Sequence, residues 1–269
     1  MNGQEFFTPL AFDFLWEAAD LGEMPYPLRA RSHGATEDER AMLRRRANVE
    51  LQARGLRDQS GRLDPRLEDW CATLARGSLS IDALHIPDFQ KPPVGILAAS
   101  DGEQGVIAIQ DTDGFWLRPT FAEGLVSEVV GLLPHGTRGT EASVTLPVEE
   151  ALRIPPNRTA VPTGDSTESR SRRRRGSLAE QVTDPRETYA RLTGQPRLRG
   201  GQLAVNVRGE LGGRQRSPVL AWFDTATGRY LSLARPGADG REWMTVAPAD
   251  AKTLRGRLTD MVVALTDRH

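Results

Sequence analysis

The sequence predicts an α+β fold in which two similar halves are related by a pseudo-twofold axis. Helical patterns with capping residues alternate with short strands joined by hairpin turns, and the strand–strand–strand–helix order of the first half recurs in the second. The chain has 269 residues, of which 38% are hydrophobic and 26% charged. One large domain or two fused halves would fit this length. We expect one folded unit over 1–269, with an N-terminal half (1–133), a connecting segment (134–176) and a C-terminal half (177–269).

Helix signals come first along the chain. A helix is predicted over 10–21, where apolar residues fall near one stripe. A second helix begins after Thr36, with Glu39 at the capping-box position three residues later. A third begins after Asp64, which can cap it, with Pro65 in the first turn.

Strand patterns follow these helices. Short segments rich in β-formers are separated by Gly, Asp and Pro, and the turns "SDGEQG" and "DTDG" suit hairpins. The predicted strands are 78–86, 94–100, 105–110 and 115–119. A further helix is predicted from Thr120, with Glu123 again at the capping-box position.

The second half repeats this plan. "GGQLAVNVR" (200–208) corresponds to the first predicted strand, and Asp101 and Gly105 match Asp224 and Gly228 at an offset of 123. Around the following helix the offset is 129, and the six-residue difference is assigned to the second hairpin turn, where insertions cost little. Two copies predict one sheet or two abutting sheets, not a solenoid.

Composition argues against several classes of protein. The 35 basic residues, 33 of them arginine, face 36 acidic ones, and the formal net charge is −1. Because the two signs nearly balance, any basic patch must be local. Cys71 is the single cysteine, which excludes an internal disulfide and favours a reducing compartment. The N-terminus does not resemble a signal peptide, and no apolar run reaches the roughly 18–20 residues that span a membrane. We therefore expect a cytoplasmic protein without membrane insertion.

One basic segment leaves two interpretations open. "SRSRRRRGS" (169–177) has five arginines, all of them in a stretch, 155–176, that lacks periodicity and is predicted to be a disordered loop. It is either a phosphate-binding arm of a nucleic-acid-associated regulator or a solvated connector between two folded halves. No aromatic residues interleave with the arginines, as a stacking platform would require. We favour the connector.

Sequence motifs typical of catalysis, metal binding or phosphate binding are missing. The four histidines are scattered, and neither a phosphate-binding glycine loop nor a Gly-x-Ser-x-Gly elbow occurs. We predict no catalytic residue, no metal site and no cofactor, although residues distant in sequence could still assemble a hydrolase triad. Phe89 is the exception to an otherwise ordinary distribution of aromatics, because it lies in the proline-rich loop "HIPDFQKPP" between two strands. A contact with a partner is one hypothesis, and a return to the core is the other.

Several segments occur in a recognisable order along the chain. In the first half they are a Trp-containing first helix, the Pro-x-Pro-Leu loop in "MPYPLRA", the "SHGAT" start of the next helix, and "ARGL" followed by "GRLDP". In the second half they are "GGQLAVNVR", "FDTATGRYL" and "MTVAPAD". With these segments the chain resembles the EspG family of chaperones of actinobacterial type VII (ESX) secretion, and the resemblance covers nearly everything except 155–176.

This resemblance implies a central antiparallel β-sheet flanked by helical bundles, and a non-enzymatic cytosolic chaperone. Such a chaperone binds a PE–PPE heterodimer or a related ESX substrate, covers its hydrophobic tip and keeps it soluble. We expect no nucleic-acid partner and a monomer or weak homodimer. The resemblance places the partner surface on the loop 86–93 and on "SLAEQVTDPRETYARL", where Pro185 could break a helix. The predicted partner-binding residues are Pro87, Asp88, Phe89, Gln90, Lys91, Ala179, Val182 and Tyr189.

Overall fold

The structure, a computed structural model, describes residues 3–154, 184–209 and 212–267. Within these ranges eleven strands form one sheet, and seven α-helices cover parts of both faces. The strands are β1 (Glu5–Phe7), β2 (Leu79–Ile86), β3 (Val94–Asp101), β4 (Gln104–Gln110), β5 (Phe115–Phe121), β6 (Val144–Pro147), β7 (Arg199–Arg208), β8 (Arg214–Arg216), β9 (Leu220–Thr225), β10 (Gly228–Pro236) and β11 (Glu242–Pro248). The helices are α1 (Pro9–Ala18), α2 (Glu37–Ala53), α3 (Pro65–Arg76), α4 (Leu125–Gly131), α5 (Val148–Arg153), α6 (Pro185–Thr193) and α7 (Ala251–Thr266).

The strand order is symmetric about the middle of the sheet. It runs β1-β5-β4-β3-β2-β7-β9-β10-β11-β6, with β8 paired to β7. β2 and β7 pair antiparallel from Leu79 with Val207 to Ile86 with Gly200. The predicted halves therefore meet in a single sheet. β1 and β6 each cover an outer edge, and β6 comes from the segment that the sequence suggested was a connector.

The internal repeat is confirmed, but its predicted offset in the first hairpin is wrong by one residue. The turn between β3 and β4 is Gly102–Glu103, and the turn between β9 and β10 is Ala226–Thr227, which gives an offset of 124. Because successive side chains of a strand point to opposite faces of the sheet, a slip of one residue would move each side chain to the other face. With the offset of 124, the two repeats differ by five residues, all in the β10–β11 hairpin.

One face of the sheet is covered by α4 and α7. Leu125 and Val129 of α4 and Leu254 and Leu258 of α7 are buried against odd-numbered positions of the central strands, Ile81 among them. Further residues of both halves belong to the same core: Ala83, Ile107, Leu203, Val205, Trp222 and Leu231. This core therefore joins the halves.

The opposite face carries two separate groups of helices. α1–α3 pack over β3–β5 of the first half, around Phe12, Leu97 and Phe115. α5 and α6 pack over the second half, where Leu192 contacts the core of Phe223 and Tyr230. The middle of this face, over β2 and β7, lies between the two groups. The architecture confirms the predicted α+β fold with helices flanking a central antiparallel sheet.

The predicted helix starts are largely confirmed. Thr36 Oγ1 accepts a hydrogen bond from the Glu39 backbone N–H (3.2 Å), and Glu39 Oε2 accepts one from the backbone N–H of Ala35 (2.9 Å). Asp64 Oδ1 accepts one from the backbone N–H of Arg66 (2.8 Å) and caps α3. Such caps satisfy N–H groups that have no partner within the helix.

The helix predicted from Thr120 is wrong at its start. Thr120 lies in β5, paired with Gly105, and α4 begins at Leu125 after a short 3-10 turn, with no side-chain cap. Thr120 is also nearly buried. Because its backbone belongs to the β4–β5 ladder, the pattern that suggested a capping box did not determine the helix start.

Candidate functional site

The loop between β2 and β3 holds Phe89 away from the core. The Asp88 carbonyl accepts a hydrogen bond from the Lys91 backbone N–H (2.9 Å), and Asp88 Oδ1 accepts one from the Gln90 backbone N–H (3.0 Å). These bonds close a tight turn with Phe89 near its apex, and 53% of Phe89 is exposed. Of the two sequence hypotheses, the return of Phe89 to the core is therefore wrong.

Phe89 and Tyr189 come together at one recess, although they are 100 positions apart in the chain. We call it the apolar recess; its volume is about 310 Å³, and it opens on the sheet face between the two groups of helices. Its lining includes Leu84, Ile86, Phe89, Tyr189, Thr193, Arg197, Gln202, Ala221, Trp222 and Phe223. The loop of the N-terminal half forms one wall and α6 of the C-terminal half another.

Tyr189 is placed by the way α6 begins. Asp184 Oδ1 accepts a hydrogen bond from the Arg186 backbone N–H (2.9 Å), so that Pro185 occupies the first turn of the helix. Tyr189 is half-buried on this helix, and burial raises the pKa of its hydroxyl. Pro185 therefore starts a helix, whereas the sequence left open that it breaks one. Ala179 and Val182 lie outside the described residues, and their place on a shared face stays a prediction.

Gly200 of β7 leaves room in the floor of the apolar recess. It lies opposite Phe223, and a Cβ at this position would lie 2.9 Å from the Trp222 carbonyl oxygen. A larger residue at Gly200 would therefore press against β9. Arg197 stacks over the Phe223 ring, with 4.7 Å from its Cζ atom to the ring centroid, and adds a cation to the rim.

The other predicted loop residues lie around this recess instead of lining it. Asp88 forms the turn, and Gln90 and Lys91 are exposed beside Phe89. Pro87 lines a neighbouring recess with His135 and Arg199. The loop therefore presents a single aromatic side chain to the apolar recess, with polar residues next to it.

A buried charge cluster lies beneath Pro87. Asp224 accepts hydrogen bonds from Arg229 at both carboxylate oxygens (2.7 and 2.9 Å) and from Arg199 Nε (2.6 Å). The side chains of Asp224 and Arg229 are only 7% and 2% exposed. Arg229 also donates to the Pro134 carbonyl (2.7 Å), and Arg199 donates to the His135 carbonyl. The cluster ties the start of the connecting segment to β7, β9 and β10.

The electrostatics of this cluster follow from its geometry. Burial by itself would raise the pKa of Asp224, but hydrogen bonds and charges from Arg229 and Arg199 outweigh burial, and the pKa lies below its ordinary value of 3.8. Burial lowers the pKa of nearby His85, and Arg199 and Arg229 lower it further. Sequence reasoning missed this cluster, because an arginine-rich chain does not mark which of its arginines is buried.

Neither a metal-binding cluster nor a membrane-spanning helix is found among the described residues. No group of three or more His, Cys, Asp or Glu side chains there could hold a metal ion. None of the helices in 3–154, 184–209 and 212–267 is long and apolar enough to cross a membrane.

The sequence over residues 8–260 matches the family model described as the EspG family. The chain belongs to the EspG family. The resemblance found in the sequence is thereby confirmed over nearly its whole length. No curated protein sequence matches the chain significantly.

Solved structures of known proteins show the same fold as this EspG-family chain. One is the type VII secretion system chaperone EspG5 of Mycobacterium tuberculosis, solved in complex with a PE25–PPE41 dimer. It matches with a TM-score of 0.64 and 13% sequence identity, over 97% of this chain and 96% of that chain. At this identity the similarity establishes a common fold.

Proposed function

We propose that this EspG-family protein is a non-enzymatic cytosolic chaperone that binds a PE–PPE-type heterodimer for type VII secretion and covers a hydrophobic tip of that substrate. Family membership supports the chaperone role, and the similarly folded EspG5 was solved with a PE25–PPE41 dimer. The observation that carries the proposal is the apolar recess, where an exposed Phe89 from one half faces Tyr189 from the other.

The chemistry of the apolar recess fits this role. Its floor is sheet, its walls are aromatic, and it is open enough to accept an apolar segment of a second protein. Aromatic side chains of this kind dominate protein interfaces because they bury a large area at a small cost in conformational entropy. The tight turn at Asp88 holds Phe89 in place before binding, which reduces the entropy lost when a partner docks.

The first test replaces Phe89 by Ala. We expect the dissociation constant for a purified cognate PE–PPE pair to rise by about 30-fold, the equivalent of roughly 2 kcal/mol for an aromatic hot spot. The melting temperature is expected to stay unchanged, because half of the side chain is already exposed. Calorimetric titration and thermal unfolding measure the two quantities.

Phe121→Ala is the matched control for this test. Phe121 is an exposed phenylalanine at the end of β5, 68% exposed and not part of the apolar recess, and its loss is expected to leave capture of the pair intact. Unchanged affinity in the Phe89→Ala variant would remove Phe89 from the site. A wild-type protein that fails to bind any cognate PE–PPE pair would refute the proposed function.

The arginine-rich segment 169–177 lies outside the described residues, and its role as a connector stays a prediction. Deletion of 165–176 is expected to change the free energy of unfolding by no more than about 0.5 kcal/mol and to leave binding of the PE–PPE pair unaltered. Ordering such a segment would cost roughly 1–2 kcal/mol per residue for the backbone, and no apolar anchor offsets that cost. If the deletion strongly reduced binding of the PE–PPE pair at physiological salt, the arginines would take part in binding and the connector prediction would be wrong.

A further inference from the structure

A second recess lies on the same sheet face, next to the apolar recess. Ser80, Leu97 and Asn206 contribute to its floor, α3 and Tyr26 form its walls, and its volume is about 200 Å³. Gln202, which lines the apolar recess, donates a hydrogen bond from Nε2 to the Tyr26 hydroxyl (2.9 Å). The two recesses therefore share a wall, and one bound segment could reach both.

Three arginines converge on this second recess, which we call the basic recess. In the β7–β8 pairing, Arg208 lies opposite Arg214, and Asn206 lies opposite Arg216, all on this face. Arg208 is oriented by a hydrogen bond from Nη2 to the Ala75 carbonyl (3.1 Å). The Arg216 guanidinium lies 5.7 Å from the centroid of the Tyr26 ring. The guanidinium groups of Arg208 and Arg216 are thus held in place by the fold, and Arg214 is exposed opposite Arg208.

The local charge is not balanced by the described residues. Asp82, 2% exposed, accepts hydrogen bonds from Arg216 at both oxygens (2.5 and 2.9 Å) and from Asn206 Nδ2 (2.8 Å). Its carboxylate is therefore fully engaged with Arg216 and Asn206. No carboxylate lines the basic recess in the described part of the chain, which leaves two guanidinium charges beyond the Asp82–Arg216 pair.

We propose that the basic recess binds a carboxylate side chain of the same protein partner whose apolar segment enters the apolar recess. This inference rests on the proposed function and adds a requirement on the substrate: an Asp or Glu beside its apolar contact. Planar guanidinium groups match a carboxylate in charge and geometry, and hydrogen bonds between charged groups are stronger than neutral ones. A recess of this size, walled by Tyr26 and α3, suits one side chain and not the continuous basic track that a nucleic acid needs.

The test reverses the charge at Arg214, which is exposed and lies at the mouth of the basic recess. For Arg214→Glu we expect the dissociation constant of a purified cognate PE–PPE pair to rise at least about tenfold, and for Arg214→Ala by a smaller factor, with unchanged melting temperature. The affinity of the wild type should also fall more steeply with added salt than that of Arg214→Glu, because the variant has lost the screened attraction.

Arg235→Glu is the matched control, because Arg235 is an exposed arginine of β10 on the opposite side of the sheet. It is expected to bind the pair like the wild type. If Arg214→Glu keeps wild-type affinity while Phe89→Ala loses it, the carboxylate subsite is wrong and the proposed function stands. If the wild type does not bind the pair, both fail. Saturable binding of a 20-base oligonucleotide at about 150 mM salt, lost in Arg214→Glu, would show that the basic recess binds a nucleic-acid phosphate and not a carboxylate.

Discussion

Residues 1–133 and 177–269, produced as separate chains, are expected not to unfold cooperatively on their own. Separation would leave β2 and β7 as long unpaired edges in the middle of the former sheet. It would also expose apolar side chains such as Ile81 and Leu203, which belong to a core shared by the two halves. Each fully buried side chain of this kind contributes roughly 1.5–3 kcal/mol. Exposing a few of them removes most of a net stability of about 5–15 kcal/mol.

The measurement is denaturant unfolding of each fragment followed by circular dichroism and tryptophan fluorescence. As a control, fragments 1–154 and 177–269, which together contain every described strand, are mixed and are expected to regain a cooperative transition. The longer first fragment is needed because β6 (Val144–Pro147) covers the outer edge of β11. Cooperative unfolding of each half by itself would show two independent domains and contradict the prediction.

Replacement of Asp224 by Asn is expected to destabilise the protein by about 3–5 kcal/mol, the usual cost of breaking a buried ion pair from one side. Arg229 would keep its charge in a site where its side chain is 2% exposed, without the carboxylate that accepts two of its hydrogen bonds. A fall in melting temperature of roughly 10 °C follows from the usual size of such shifts. Thermal unfolding at pH 7 measures it.

Asp101→Asn is the control for this substitution. Asp101 is exposed at the end of β3, and the sequence repeat had aligned it with Asp224. We expect a change within about 0.5 kcal/mol, as at other exposed positions. Equal effects of the two substitutions would show that the buried cluster does not stabilise the fold.

The Asp224 cluster also predicts a pH dependence with a defined sign. The pKa of Asp224 is lower in the folded protein than its ordinary 3.8, so the unfolded chain takes up this proton first as the pH falls. Its stabilising contribution is present above about pH 4 and is lost as the pH drops through the folded-state pKa. Wild type should therefore lose more stability than Asp224→Asn between about pH 5 and pH 2.

Local signals in the sequence were sufficient for much of the fold. The structure confirms the caps at Thr36 and Asp64 and the hairpin turns, which depend on residues within a few positions of one another. It also confirms the repeated order of strands, which the sequence shows as a repeat of such local patterns. Prolines and polar residues flank Phe89 in a loop between two strands, and on that ground the sequence offered contact with a partner as one of two hypotheses. The structure shows that Phe89 is exposed, and its contact with a partner stays a prediction.

The tertiary structure decided what depends on distant residues. The β9 residue equivalent to Asp101 is Thr225 and not Asp224, because hairpin pairing sets the register and a slip of one residue exchanges the faces of a strand. Thr120 lies in a strand because the β4–β5 ladder extends past it. Arg229 is buried because the segment at Pro134, 95 positions away in the chain, packs against the β9–β10 hairpin that pairs Arg229 with Asp224. The meeting of Phe89 with Tyr189 follows from strand pairing between the two halves. No local pattern encodes them, because the partners lie on segments that only the folded sheet brings together.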